Sequence, residues 1–253
     1  MYKIPFAVGN ILSWFVYGSE RRKRFRGKVN VLLFRPYIAR FIKRTYGERM
    51  KTLRFVRQRT LNRFIAVANG KYYVKIFRNV TRQQICDFCE LMDIVKTAVK
   101  VETPVCIVDR KIPMYVCEKN SGVSLYSFDT EYVLKNADKI GAQIRDIIIQ
   151  LQSIDVDAIP NNERFITNIQ NHRSAELPCQ NCKRVLAHFD LNPSNLLVDN
   201  DLNILSVIDW DTVSIANNPN TDWRVFVKQW DIKPKPFTDT DYDFIGTGGD
   251  IKK

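Results

Sequence analysis

The sequence predicts an α+β chain of two lobes, a small antiparallel β lobe followed by a shortened, mainly helical one, on three observations. Two β-rich runs between Arg63 and Phe77 meet at Asn69-Gly70, the strongest short hairpin signal a sequence carries. Two longer segments, 81 to 100 and 129 to 152, space their apolar residues three and four apart, as helices do. Finally, short apolar runs bracket a loop rich in Asp and Asn between His188 and Asp211.

The hairpin reads Arg63-Phe64-Ile65-Ala66-Val67-Ala68 and Tyr72-Tyr73-Val74-Lys75-Ile76-Phe77. Lys75 falls mid-strand among apolar neighbours, where an ammonium is costly to cover unless an anion meets it. Ile85, Phe88, Met92, Val95 and Val99 then form one apolar stripe of a helix with Thr81 as its N-cap. Beyond Pro104, Val105 to Val108 and Met114 to Cys117 read as two further strands around Asp109-Arg110-Lys111, completing a lobe of five strands. Ala137, Ile140, Ile144, Ile147, Ile148 and Leu151 predict one long buried helix over 129–152.

The most specific feature is His188-Phe189-Asp190-Leu191-Asn192-Pro193-Ser194-Asn195, followed by Val207-Ile208-Asp209-Trp210-Asp211. Asn195 lies five residues beyond Asp190, and Asp209 fourteen beyond that. The runs Val185-Leu186-Ala187, Leu196-Leu197-Val198 and Ile204 to Ile208 read as buried strands that frame the loop. Phosphoryl transfer from ATP to an alcohol needs positioning and charge neutralisation more than covalent chemistry. Asp190 suits the base that orients an acceptor hydroxyl, while Asn195 and Asp209 offer the neutral and charged oxygen ligands that Mg²⁺ prefers. His188, so close to Asp190, suits bracing of the loop.

The pattern His-x-Asp-x-x-x-x-Asn followed by Ile-Asp-Trp-Asp resembles the aminoglycoside phosphotransferase and choline kinase group, which has the bilobal protein-kinase-like fold. The resemblance implies that Asp190 is the catalytic base, with His188 beside it, and that Asn195 and Asp209 hold Mg²⁺. It likewise implies that Lys75, at the Val-Ala-Ile-Lys position, binds the α and β phosphates of ATP and pairs with a helix carboxylate. Glu90 takes that role by its spacing, although it points away from the apolar stripe, and Asp87 or Asp93 stands as the alternative. Glu118 to Gly122 resembles the hinge that bonds adenine through backbone groups, and Asp222 resembles the aspartate the family places after its metal-binding segment.

The sequence departs from the family in two ways. No glycine occurs between Arg54 and Asn62, so phosphate contact there falls to arginine, Thr60 or backbone N–H groups. Only 44 residues follow Asp209, fewer than the helices that wall the acceptor pocket in relatives require.

Charge is the second informative feature. Residues 1–78 carry 20 Lys and Arg against 2 Glu, a net +18, while the remainder carries 19 against 25, so that the whole is +12. A basic front on a mildly acidic body predicts attraction to a polyanion. Phe6 to Tyr17, an apolar run of twelve, precedes Arg21-Arg22-Lys23-Arg24-Phe25-Arg26 and is too short to span a bilayer. Its order, apolar then basic, is the reverse of a signal peptide. Two readings stand: a segment lying in the interface of an anionic membrane, and a helix packed on the small lobe. Nucleic acid is the less favoured partner, because no RNA or DNA module accompanies the charge. Six cysteines in 253 residues are too sparse for a secreted disulfide scaffold, and the ATP reading places the chain in the cytoplasm, peripheral at the inner face of the membrane.

The expected organisation is a basic, partly apolar extension over 1–50, an ATP-binding lobe over 51–122, a large lobe over 123–233 and a mobile tail over 234–253. The expected activity is ATP- and Mg²⁺-dependent phosphorylation of a hydroxyl on a small molecule or glycan. A sugar of a lipid-linked glycan, such as a lipopolysaccharide core, is the favoured acceptor; the competing class is an inactive nucleotide-binding scaffold at a membrane surface.

Overall fold

The computed structural model describes residues 7–8, 19–56, 63–109, 112–165, 182–230, 232–238 and 241. Most of the Phe6 to Tyr17 run, Thr60 and the chain beyond residue 241 therefore lie outside the described residues. The chain divides into two compact units, Met1–Glu90 with Val105–Lys119, and Leu91–Pro104 with Asn120–Lys253.

In the first unit, β1 (Leu53–Phe55), β2 (Arg63–Ala68), β3 (Tyr72–Phe77), β4 (Ile107–Val108) and β5 (Met114–Glu118) form one antiparallel sheet in the order β1-β2-β3-β5-β4. The β2–β3 turn uses the two residues that signalled it. Asn69 and Gly70 both have positive φ, 53° and 69°, and Lys71 N–H donates back to the Ala68 carbonyl at 3.0 Å. Asn69 adds something glycine could not: its Oδ1 accepts from Lys51 N–H at 2.8 Å and Thr52 N–H at 3.2 Å, tying the turn to the chain that enters β1.

Alternation along the strands gives the sheet two apolar faces. Phe64, Ala66, Tyr72, Val74, Ile76, Met114 and Val116 share one core with Phe34, Ile38, Phe41 and Ile42 of α1 (Ser19–Tyr46). The extension expected over 1–50 is thus not separate from the β lobe, because spacings of four, three and one line up its large apolar side chains on one flank. The other face carries Tyr73, Phe77, Tyr115 and Cys117, which pack with Ile85, Phe88 and Cys89 of α2 (Arg82–Ala98). Thr81 caps α2 reciprocally with Gln84: Gln84 N–H donates to Thr81 Oγ1 at 3.2 Å, and Thr81 N–H to Gln84 Oε1 at 2.8 Å.

The second unit has α3 (Thr130–Lys135) and α4 (Ala137–Gln152) where one long helix is predicted. Asn136 breaks it, with φ −105° and ψ 15° and its side-chain amide donating to the Tyr132 carbonyl at 2.9 Å. Ala137, Ile140, Ile144, Ile147, Ile148 and Leu151 are all buried, as their spacing requires. Two small antiparallel sheets follow: β6 (Val123–Ser124), β8 (Leu196–Val198) and β9 (Ile204–Val207), and the pair β7 (Val185–Ala187) with β10 (Ser214–Ala216). Gly122, at φ 91°, sits so close to β8 that a Cβ there would lie 3.0 Å from the Val198 carbonyl oxygen.

Helix α5 (Thr221–Gln229) closes the unit. The expected mobility from residue 234 onward is corrected at its start. Phe237 is buried, edge-on to Trp223 and Trp230 at centroid distances of 5.6 and 4.9 Å, because three aromatic rings leave a slot that a fourth fills.

If the inner flank of α1 is core, Ile38→Ala will cost about 2–5 kcal/mol, while Leu32→Ala on the outer flank will cost less than about 0.5 kcal/mol. Urea denaturation of the full chain distinguishes the two.

Candidate active site

The loop from His188 to Asn195 leaves β7 and enters β8, and a buried carboxylate from another element fixes how it leaves. Asp222, in the first turn of α5, accepts from His188 N–H through Oδ2 and from Phe189 N–H through Oδ1, each at 2.8 Å. Those two donors are lost to the sheet when the strand ends, so the carboxylate satisfies groups that burial would otherwise penalise. Burial pushes the Asp222 carboxyl up to about 6, against the downward pull of the two N–H groups. Anchored this way, Phe189 takes φ 61°, a strained conformation for a bulky residue that costs roughly 1–3 kcal/mol. Its ring returns to the core beside Val185, Ala187 and Ala216, and the chain reverses so that Asp190 leaves it.

His188 is fully buried, which removes it from contact with any substrate. Its Nδ1 accepts from Asp190 N–H at 3.2 Å, so the ring is neutral there and its Nε2–H donates to the Ile208 carbonyl at 3.2 Å. The ring also packs on Trp210 at 4.5 Å between centroids. His188 therefore ties the Asp190 loop to the Asp209 segment, the bracing expected of it.

Asp190 is held by amides. Asn192 Nδ2 donates to its Oδ1 at 3.0 Å, and Asn195 Nδ2 donates to its Oδ2 at 3.0 Å and to its carbonyl at 2.8 Å. Gln229, at the end of α5, also reaches the carboxylate. Partial burial raises the Asp190 carboxyl, the Asn195 amide opposes this, and the negative charge of Asp209 raises it further. Asn192 and Gln229 are not legible in the sequence, because an amide that orients a carboxylate follows no spacing rule; only the Asn-Pro turn hinted at the first.

With its NH₂ turned toward Asp190, Asn195 leaves Oδ1 without a donor among the described residues, the orientation a cation ligand needs. Ile208 N–H donates to the Asn195 carbonyl at 2.9 Å, so the Asn195 turn and the approach to Asp209 are joined. Asp209 takes φ 60° at the start of a turn whose Trp210 is buried and bonded through Nε1 to the Val207 carbonyl at 2.8 Å. One carboxylate and one amide oxygen make too few ligands for an all-protein cage, but they fit Mg²⁺, which completes its shell with phosphate and water.

In the first unit, Lys75 is buried opposite Ile65 and Tyr115, on the sheet face toward α2, with its ammonium 5.7 Å from the Tyr115 ring. Glu90 is exposed, whereas Asp87, one turn earlier on α2, is buried and accepts from Gln83 Nε2 at 2.9 Å. Glu118 ends β5 at the surface, 3.9 Å from the Lys71 ammonium, and Lys119 N–H donates to the Lys71 carbonyl. The glycine-free stretch from Arg57 to Asn62 lies outside the described residues.

Residues 162–217, which contain the whole loop, match the model of the phosphotransferase enzyme family. No curated protein sequence matches the chain. Among solved structures, wild-type aminoglycoside 2'-phosphotransferase-IIIa in its GDP complex is similar, with TM-score 0.53 and 14% identity over 77% of each chain. Macrolide 2'-phosphotransferase MphH from Brachybacterium faecium gives 0.51 and 16% over 74% of each. The streptomycin–ATP complex of APH(2")-IIa gives 0.52 and 12% over 74% of this chain and 73% of that one. The α+β protein-kinase-like fold of these enzymes is the fold of this chain, and the resemblance read from His188 to Asp211 is borne out.

Asp222→Asn puts a donor where an acceptor is needed and will cost about 1–3 kcal/mol by leaving one buried N–H unpaired. The Asp222 carboxyl lies near 6 in the folded state and at the ordinary 3.8 in the unfolded one. The folded chain thus holds a proton that the unfolded chain releases, and this group's contribution falls as pH rises from about 4 to about 6 and is level above. Urea midpoints will separate wild type from Asp222→Asn more widely near pH 4 than near pH 7.

Proposed function

We propose that the chain is a phosphotransferase that moves the γ-phosphoryl group of ATP to an alcohol, with Asp190 as base. One observation carries this reading: a carboxylate held by Asn192 and Asn195, on a strained loop anchored by Asp222, with a metal-compatible amide oxygen and Asp209 beside it. Mg²⁺, held by Asn195 and Asp209, would neutralise the phosphates as charge builds between the transferring and leaving oxygens. Asp190 aligns the acceptor O–H and takes its proton as the oxygen bonds to phosphorus and the bond to the ADP oxygen breaks. Lys75 bonds the α and β phosphates, with Asp87 in place of Glu90 as the α2 carboxylate that orients it, since a buried ammonium needs a buried anion. The backbone from Glu118 to Gly122 receives adenine.

The acceptor is a hydroxyl of a small molecule or glycan. The matched family and the aminoglycoside and macrolide phosphotransferases of like fold support this class. Within it we favour a sugar of a lipid-linked glycan, such as a lipopolysaccharide core, reached by a chain that touches an anionic membrane through its basic front. Among the described residues no helix is long and apolar enough to cross a membrane.

Labelled ATP and Mg²⁺ offered with extracted envelope glycolipids in one arm, and aminoglycosides, choline and simple sugars in the other, test the reading. Asp190→Asn will lower turnover about 10²–10⁴-fold with little change in nucleotide affinity. The acid limb of kcat/KM will lie above the ordinary carboxylate range, because activity is lost as pH falls through the raised pKa of Asp190. Equal turnover by Asp190→Asn, or no transfer to any non-protein acceptor, overturns the proposal in favour of a nucleotide-binding scaffold.

A further inference from the structure

The flank of α1 that turns away from its own lobe is built unlike an ordinary solvated surface. Its opposite flank is core, with Phe34, Ile38, Phe41 and Ile42 buried. Phe25, Leu32, Pro36 and Lys43 follow one another at intervals of seven, four and seven residues, so they lie along one line opposite that core, and all four are exposed. Leu32 is 70% exposed and Phe25 37%, the former the most exposed large apolar side chain among the described residues. Lys28, Arg35 and Arg40 stand exposed on either side of the line. The helix holds ten Lys and Arg against one Glu, at position 20, and no acid occurs from residue 21 to 46. Arg44 does not belong to this face, because it turns inward to Asp109 at 3.2 Å.

We propose that this outer flank of α1 is a docking surface for an anionic phospholipid bilayer, with Phe25 and Leu32 entering the acyl boundary and Lys28, Arg35, Arg40 and Lys43 meeting headgroup phosphates. The inference gives a place to the membrane contact proposed above and rests on it, but not on the identity of the acceptor. From Phe25 to Lys43 the line is about 27 Å long, enough to lie in an interface. Charge complementarity alone would also suit a nucleic acid. The central apolar line decides between them, since a phosphate backbone offers Leu32 and Phe25 nothing to bury against, whereas a headgroup layer covers both with acyl chain. Because Ile38 and its neighbours bind α1 to the sheet, docking would carry the β lobe to the membrane as one piece.

The test uses full-length protein sedimented with vesicles of neutral phosphatidylcholine, with or without a third of phosphatidylglycerol. Wild type will pellet with the anionic vesicles only, and the pelleted fraction will fall as salt is raised, since screening weakens each contact. The triple variant Lys28→Glu, Arg40→Glu, Lys43→Glu will bind at least about a hundredfold more weakly, at roughly fivefold per basic residue before charge reversal is counted, and Leu32→Glu, which loses a buried apolar side chain, at least about tenfold more weakly. Both variants will keep wild-type melting temperature and Mg-ATP turnover with a water-soluble acceptor. Undiminished vesicle binding by the variants overturns the assignment to α1 while leaving membrane contact standing. Failure of wild type to bind anionic vesicles overturns both. Tighter binding of wild type to duplex DNA than to these vesicles, lost in the triple variant but kept in Leu32→Glu, overturns the lipid in favour of nucleic acid. None of these results bears on phosphotransfer, which the turnover arm measures by itself.

Discussion

The two hydrogen bonds from His188 and Phe189 N–H to the Asp222 carboxylate are the constraint on which the loop of the second unit depends. A strand that stops inside a protein leaves its next donors with nowhere to go, and a chain that must also turn sharply leaves them poorly aimed at any other strand. Asp222 meets both at once from a helix that is itself locked by Trp223, Phe226 and Phe237. The loop can then hold Phe189 at positive φ, which strain would otherwise relax, and present Asp190 outward while His188 stays in the core. The aromatic packing around α5 thus serves the site at one remove.

Around that anchor the amides divide the work. Asn192 and Asn195 donate to the two oxygens of Asp190, limiting its rotation, and Asn195 does so with the half of its amide that a cation cannot use. One side chain therefore orients the Asp190 carboxylate and leaves its own amide oxygen facing away from it. His188 links the same loop to Ile208, the residue before Asp209, so that Asp190 and Asp209 are braced by one hydrogen-bonded ring rather than by separate loops. Partial burial, and with it the near charge of Asp209, hold the Asp190 proton affinity above that of a free carboxylate, the direction that suits the base proposed for it.

The β lobe shows a different economy. Its sheet has apolar residues on both faces, which only a lobe covered on both sides can tolerate, and the cover on one side is α1. The many basic residues of α1 are compatible with this because they lie off the flank that packs. A helix with a weak overall amphipathic contrast can still dock firmly when a few large side chains align.

Much of this was legible in the residues. Asn69-Gly70 specified the hairpin because few residues adopt positive φ, and the stripes of α2 and α4 specified their buried faces because period and burial are linked. The segment from His188 to Asp211 named its fold by residue type and spacing, because the pattern of acids and amides at those intervals admits few alternatives. Three matters were decided only by tertiary structure. The docking of α1 depended on which of its two flanks met the sheet, and its sequence offered basic and apolar residues to both solvent and core. The exposure of Glu90 and burial of Asp87 depended on the rotation of α2 about its axis, a matter of packing against Tyr115 and Cys117 that spacing from Lys75 does not encode. The partners of Asp190 depended on loop closure, because hydrogen bonds between side chains are set by where the backbone brings them. Residue chemistry determined what the loop is able to do, and packing determined which neighbours hold it there.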